Sequence, residues 1–410
     1  MPPVIAVLAT LDTKGQEAGF LRDRLQALGA RPLLVDLGVL GTPAVRADVT
    51  RAQVARAGGT PLTALRAAPT REAAQPVMAA GATAILRRRL DAGRLDAVVG
   101  LGGLQGTAIC TMVMRALPYG LPKIMVSTVA SGDTSSYVGI SDITMMFSVA
   151  DILGLNAFMR QVLTSAAGAA WGMARARGRQ RAVRRRGGRP LIGISNLGVL
   201  TQGTMRAQER FATRGYETIV FHAVGTGGRA MEQMMQQGLI GAVFDYAMGE
   251  ISDELFHGLR AGGPDRLTVA GRLGLPQVIV PGGAEHVGIL VSEPHVLPDR
   301  WKTHRHVWHN EVVLAPRLND RELRQVAREA GRRLQGTTGN AVLMIPTLGT
   351  GRYAMPGGPL NDPASDARFF AALKASVPKT IEIVEREAHA EDPAFVDEAV
   401  DRLIGLIERR

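Results

Sequence analysis

The sequence predicts an α/β chain of two Rossmann-like lobes, each a mainly parallel sheet flanked by helices. Three observations predict it. Short apolar runs alternate with segments of helical apolar spacing through both halves of the chain. The alternation breaks at one arginine-rich stretch and then restarts. The 48 glycines of the 410 residues gather just after apolar runs, where a strand must turn into a helix. A chain of this length exceeds one ordinary core, and two domains of about 200 residues fit the usual range. The expected division is an N-terminal lobe over 1–178, a linker over 179–190 and a C-terminal lobe over 191–410.

In the first lobe, Val4–Leu8 is a continuous apolar run, as a strand buried on both faces requires. Residues 15–28 carry apolar residues at helical spacing, and Gly29 suits a C-cap. Residues 33–36 read as the second strand. Residues 38–70 have no clear period and read as a long covering loop. A helix over 71–91, a strand over 97–101, strands over 123–126 and 143–147, and a long helix over 155–175 follow. In the second lobe, strands are expected over 191–194, 218–221, 242–245, 277–280, 341–345 and 380–384. Helices are expected over 203–214, 228–237, 320–334, 366–375 and 393–407.

Composition narrows the class. At 46% hydrophobic residues the chain is expected to pack a core. The net charge of +11 suggests an anionic partner, yet eight arginines fall within residues 175–189 with no aromatic residue among them. That reads as a solvated linker and helix end, so nucleic acid is not the expected partner. The single cysteine, Cys110, excludes a disulfide framework and a paired-cysteine metal site, and a reducing, cytoplasmic location follows. The N-terminus has no charged leader or cleavable apolar segment. No apolar run reaches the roughly 18 residues of a membrane span.

Ligands of parallel sheets bind beyond the carboxyl ends of the strands, so each exit loop is a candidate. Gly100–Thr107 (GLGGLQGT) leaves the third strand and opens a helix. Its glycines allow backbone N–H groups to reach a phosphate at a helix N-terminus. It is not a Walker A sequence, because no Lys follows the last Gly. The competing reading is a tight turn with no ligand. The loop Ala9–Gly15 places Thr10, Asp12, Thr13 and Lys14 at the first strand exit. Lys14 suits a phosphate and Asp12 suits Mg²⁺ or its waters, against a plain helix cap with a solvated lysine. Residues 127–137 are dense in hydroxyl groups.

In the second lobe, His222–Met231 is a strand end, a glycine-rich loop and a helix start, with Arg229 offering a fork for a carboxylate or phosphate. Asp245, Glu250, Asp253 and Glu254 are candidates for acid–base or Mg²⁺ work, or are helix-start charges. His304, His306 and His309 lie within six residues, but without helical spacing or cysteines a zinc site is disfavoured. Polar contacts by His309 and Asn310 are the better reading. Cys110 reads as a core residue rather than a nucleophile.

Several strings together resemble one family: ATLDTKGQE (9–17), GLGGLQGTA (100–108), PKIMVSTVASG (122–132), YVGISDITMMFSVADILGLN (137–156), FHAVGTGGRAME (221–232), AGGPDRL (261–267) and GGPLNDPASD (357–366). This is the Tm-one-like ATP-binding family, bacterial proteins resembling the N-terminal region of tomato's resistance protein against tomato mosaic virus. The resemblance spans almost the whole chain. It implies a two-lobed fold, ATP and Mg²⁺ in the first lobe, and a homodimer or higher homo-oligomer. Position by position it carries Asp12, Thr13, Lys14, Gly102, Gly103, Gly106, Thr107, Thr128, Ser131 and Gly132 into a nucleotide site. It carries His222, Gly225, Thr226, Gly227, Gly228, Arg229, His309, Asn310 and Asp362 into a second-lobe site. The chain departs from the family where Gly-Gly-Ser-Gly-Gly-Thr becomes Gly102-Gly103-Leu104-Gln105-Gly106-Thr107, exchanging small residues for larger ones. Tyr246–Gly249 and Glu311–Ala315 also replace Thr-rich runs.

The expected function is an ATP- and Mg²⁺-binding enzyme of ligase or phosphotransferase type, acting on a small acidic metabolite where the two lobes meet. Lys14, Asp12, Arg229 and His309 would handle charge, and Asp12 would hold the metal. The alternatives are a non-catalytic nucleotide-binding interaction module, or an enzyme that has lost its use of ATP.

Overall fold

The computed structural model describes residues 1–67, 70–183 and 188–409. Contacts divide the chain into two compact units, Met1–Gly187 and Gly188–Arg410. The first holds strands β1 (Val4–Ala9), β2 (Arg31–Asp36), β3 (Ala97–Gly102), β4 (Lys123–Ser127) and β5 (Ile143–Phe147). Its helices are α1 (Gly15–Ala27), α2 (Arg51–Ala57), α3 (Leu62–Ala67), α4 (Arg71–Asp91), α5 (Leu104–Arg115), α6 (Ser135–Val138) and α7 (Ala157–Val183). The strands pair in parallel in the order β2-β1-β3-β4-β5. Side chains alternate across a strand, so a strand covered on both faces must be apolar throughout. Ile5, Val7 and Ala9 pack on one face with Leu21, Leu25 and Leu163. Ala6 and Leu8 pack on the other with Met78, Leu86 and Val113.

The stretch 38–70, expected as a covering loop, contains the short helices α2 and α3. The approach of α2 to α4 explains why no long period is visible there. A Cβ on Gly58 would sit 2.1 Å from the Val77 carbonyl oxygen, and one on Gly81 would sit 1.9 Å from that of Val54. Two glycines thus let the backbones touch, in place of a long apolar stripe. Helix α7 runs to Val183, past the residue where the linker was expected to begin. Residues 184–187 of that expected linker lie outside the described residues.

The second unit repeats the architecture. Its parallel strands are β6 (Ile192–Asn196), β7 (Thr218–His222), β8 (Ala242–Ala247), β9 (Gln277–Gly282), β13 (Ala341–Pro346) and β14 (Glu382–Arg386), in the order β14-β13-β9-β8-β6-β7. Between β9 and β13 the chain adds β10 (Ile289–Leu290), β11 (His306–Asn310) and β12 (Val313–Pro316), an antiparallel sheet of order β10-β12-β11. The helices are α8 (Thr201–Thr213), α9 (Thr226–Gln236), α10 (Gly249–Phe256), α11 (Val269–Arg272), α12 (Asp320–Arg333), α13 (Pro363–Ser376) and α14 (Pro393–Glu408). In chain order both sheets read second, first, third, fourth, fifth, and the second sheet adds a sixth strand at its far edge. This is a doubly wound order with its switch point between the first and third strands. No helix among the described residues is long and apolar enough to cross a membrane.

Cys110 lies on the inner face of α5 and is fully buried. Burial pushes its thiol up to about 12, against a smaller opposing pull from the Leu101 backbone. The native protein should therefore leave a thiol-reactive disulfide reagent unconsumed, and the denatured protein should consume one equivalent. Prompt reaction of the native thiol would contradict the burial.

Candidate functional site

At the switch point of the first lobe, the exit loops of β1, β2 and β3 enclose a cleft of about 500 Å³. Its geometry depends on Asp36, the last residue of β2. Asp36 Oδ1 accepts the Leu11 N–H at 3.1 Å and the Gly38 N–H at 2.9 Å. Its Oδ2 accepts Arg51 Nε at 2.6 Å. Arg51, from α2, also donates to the carbonyls of Leu40 and Gly41 and lies 4.0 Å from Asp12 Oδ2. Asp36 and Arg51 are 1% and 4% exposed, so little water competes for their bonds. One buried ion pair therefore fixes the first two exit loops. Arg51 Nη2 has no hydrogen-bond partner.

The third wall is the start of α5. A Cβ on Gly102 would fall 2.7 Å from Gly106 Cα, so only glycine permits this turn. The N-cap is Gly103, which supplies no side chain to the first-turn N–H groups of residues 104–106. The loop is fastened from below. Thr107 is fully buried, and its hydroxyl shares a 2.7 Å hydrogen bond with that of Ser127. Leu104 and Gln105, which replace small residues of the resembling family, are exposed, and Gln105 Oε1 accepts from Gln75 Nε2 at 2.7 Å. The larger side chains stand at the rim and leave the cleft open. Leu37, Val39, Leu40, Met78 and Ile109 give it an apolar wall.

Of the expected nucleotide-site residues, Thr10, Asp12, Thr13, Lys14, Gly102, Gly103 and Gly106 meet in this cleft. Lys14 is less free than expected, because its Nζ donates to the Ile152 carbonyl at 2.5 Å. Thr107 is a buried support and does not line the cleft. Thr128 flanks the cleft glycines, its N–H donating to the Gly102 carbonyl at 3.4 Å, and Ser131 and Gly132 are exposed outside the cleft. Sequence reading missed Asp36, Arg51, Gln75 and Met78. They belong to no motif, and three of them, Arg51, Gln75 and Met78, lie on helices packed through glycines.

The second lobe corrects several expectations. Its glycine loop is filled from inside the protein: Glu250 Oε1 accepts the N–H of Gly225 at 2.6 Å and of Gly228 at 3.1 Å. Cβ atoms on Gly225, Gly227 and Gly228 would meet the Ala261 oxygen at 2.6 Å, the His222 oxygen at 1.9 Å and Glu250 at 2.0 Å. These glycines serve close packing. Thr226, Arg229 and His222 are exposed at the helix start and strand end. Glu250 pairs with Arg266 Nε at 2.6 Å, and both Arg266 Nη atoms meet Asp245 at 2.5 Å. Burial works against the Arg266 charge, but Asp245, Glu250 and Glu232 outweigh it and raise its pKa well above the ordinary value. Asp253 is tied to Arg260 at 2.6 Å. Asp245, Glu250 and Asp253 therefore belong to structural ion pairs and are not free acids or bases.

Asn310 Oδ1 accepts from Val312 and Val313 N–H, closing the turn between β11 and β12. His309 is exposed and 3.3 Å from the Tyr353 hydroxyl. Asp362 caps α13 by accepting the Ser365 N–H at 3.0 Å. The three histidines of 304–309 do not converge, and no metal-holding cluster of His, Cys, Asp or Glu occurs among the described residues.

Models for the N-terminal and C-terminal domains of an uncharacterised protein family, UPF0261, match residues 3–179 and 189–407. A UPF0261 protein of Clostridium tetani (strain Massachusetts / E88) is 36% identical over 406 residues, covering 99% of this chain and 99% of its own. The ToMV resistance protein Tm-1(GCR237) of Solanum lycopersicum is 30% identical over 321 residues, covering 77% of this chain and 42% of its own. A solved UDP-N-acetylglucosamine 2-epimerase from Rickettsia bellii aligns over 68% of this chain and 78% of its own, at 12% identity and a TM-score of 0.23. A likeness that loose carries no argument.

Removing Glu250 leaves the Arg266 Nε–H and two buried backbone N–H groups without their acceptor, while Asp245 still holds both Arg266 Nη atoms. Glu250→Ala should destabilise the second lobe by about 3–5 kcal/mol in urea unfolding. A loss below about 1 kcal/mol would mean that the glycine loop does not depend on this carboxylate.

Proposed function

The chain belongs to the uncharacterised protein family UPF0261, and from that premise we propose that it binds ATP with Mg²⁺ in the first-lobe cleft. One observation carries the reading: an uncapped helix N-terminus and an apolar wall share one cleft at a doubly wound switch point. The amides of residues 104–106 suit phosphate oxygens, and the dipole of α5 favours their charge. Leu37, Val39 and Met78 suit the flat apolar face of a base. The residues also fit the metal. Mg²⁺ is usually held by one or two carboxylates together with substrate phosphates. Asp12 is the carboxylate of the cleft, with the Thr10 and Thr13 hydroxyls beside it. Bound there, the ion would neutralise phosphate charge. Lys14 holds the start of α1 against the Ile152 carbonyl and offers its remaining protons to the same charge.

We further propose transfer chemistry of ligase or phosphotransferase type on a small acidic metabolite. Asp12 and Lys14 stand in the cleft for it. Arg229 and His309, the other expected charge handlers, are exposed residues of the second lobe. The second reading is a nucleotide-binding module without turnover. It is favoured by the engagement of Lys14 with a backbone carbonyl and by the structural use of Asp245, Glu250 and Asp253. A cytoplasmic location is part of the proposal, resting on the one buried thiol.

Calorimetric titration of the full chain with ATP and Mg²⁺ should show micromolar binding. Val39→Trp, which fills the cleft from its half-buried wall, should weaken it at least about tenfold. Lys14→Ala should weaken it less. Absence of heat with ATP, ADP and GTP would overturn the reading. Phosphate release with a panel of small carboxylic acids separates the two forms: turnover supports the enzyme, and binding without turnover supports the module.

A further inference from the structure

A second cleft, of about 670 Å³, opens in the second lobe where β12 leads into α12 and where α13 begins. Five arginines line it, Arg305, Arg317, Arg321, Arg324 and Arg368, against two aspartates, Asp320 and Asp362. The acids are already engaged. Asp320 Oδ1 accepts the Ser365 hydroxyl at 2.7 Å, and its Oδ2 pairs with Arg368 Nε at 2.6 Å. Asp362 caps α13. Behind the wall, Asp366 pairs with Arg317 Nη2 at 2.6 Å.

The cations are engaged unequally. Arg317 is 4% exposed, and beyond its bonds to Asp366 and the Leu360 carbonyl its Nε–H has no partner. An unpaired buried N–H of this kind is costly unless a ligand or water meets it. Arg321 and Arg324 form no ion pair among the described residues. The helices α12 and α13, each 14 residues long, both start at this cleft, and the Asp320–Ser365 hydrogen bond joins their first turns. Two helix N-termini side by side add positive potential where the arginines already do. Both ends carry their own caps, Asn319 and Asp362, so the arginine side chains and not the backbone amides are left to meet a ligand.

We propose that this cleft binds a small polyanion bearing carboxylate or phosphate groups, gripped by Arg317 from below and by Arg321 and Arg324 from α12. The guanidinium fork matches both groups, and the volume suits a small metabolite. The site is separate from the first-lobe cleft and does not rest on the nucleotide reading. Of the second-lobe residues expected from sequence, Asp362 alone lies here.

The test is calorimetric titration of the full chain with citrate and with inorganic phosphate at matched ionic strength. Saturable binding of either is expected, and the preferred probe identifies the group. The double variant Arg321→Ala/Arg324→Ala changes only exposed side chains, so its ligand-free unfolding midpoint should match wild type. Its affinity should fall at least about tenfold. Arg87→Ala, an exposed first-lobe arginine, should change nothing, and Val39→Trp should leave the affinity unaltered. No saturable binding of either probe, or an equal loss in Arg87→Ala, would overturn the proposal. Loss of ATP binding in the double variant with retention in Val39→Trp would support this site and overturn the nucleotide reading of the first lobe.

Discussion

The first-lobe cleft depends on the buried pair Asp36–Arg51. Asp36 stands at the end of β2 and holds the backbone of both neighbouring exit loops, while Arg51 holds residues 40 and 41 from α2. Loops usually lie in water and fluctuate. Here their backbone is bonded to a carboxylate that water scarcely reaches. Removing either partner leaves an uncompensated buried charge, at a cost of about 3–5 kcal/mol. Arg51 also stands 4.0 Å from Asp12 Oδ2, beside the acid of the cleft. The open crevice is thus a consequence of packing in α2, a helix that carries no recognisable ligand motif.

The two lobes share a strand order and solve its central problem in opposite ways. A doubly wound sheet leaves a crevice at its switch point. In the first lobe the crevice stays open, and the first turn of α5 has no side-chain cap. In the second lobe the corresponding region is filled by Arg266 and its acidic partners, and Glu250 occupies the glycine-loop amides that a phosphate would otherwise take. A carboxylate of the chain itself stands where an anionic ligand would. The open polar cleft of that lobe lies instead between the added antiparallel sheet and the N-termini of α12 and α13.

The sheets were legible because their central strands are buried on both faces and so are largely apolar, and because glycines mark the turns that follow. The β1 and β3 exit loops were legible for the same reason, since Thr10 to Lys14 and Gly102 to Gly106 are local in sequence and meet as expected. What was not legible is what depends on distance. Asp36 and Arg51 are 15 residues apart, and they meet only because the chain returns along β2, where Asp36 N–H donates to the Val49 carbonyl at 3.0 Å. The likeness of Gly225–Gly228 to a phosphate loop was misleading, because glycine serves close packing and ligand approach equally well. Only the position of Glu250 separates the two uses. Thr107 shows the same limit, since its hydroxyl faces Ser127 under the loop and a sequence does not state which way a side chain points.

The central claim is that the uncapped start of α5 receives a phosphate. Amide hydrogen exchange of residues 104–106, followed with and without ATP and Mg²⁺, tests it directly. The account predicts that the ligand slows exchange there and on the loop 10–14, and leaves residues 225–228 as they were. Unchanged exchange at residues 104–106 under saturating nucleotide would contradict it.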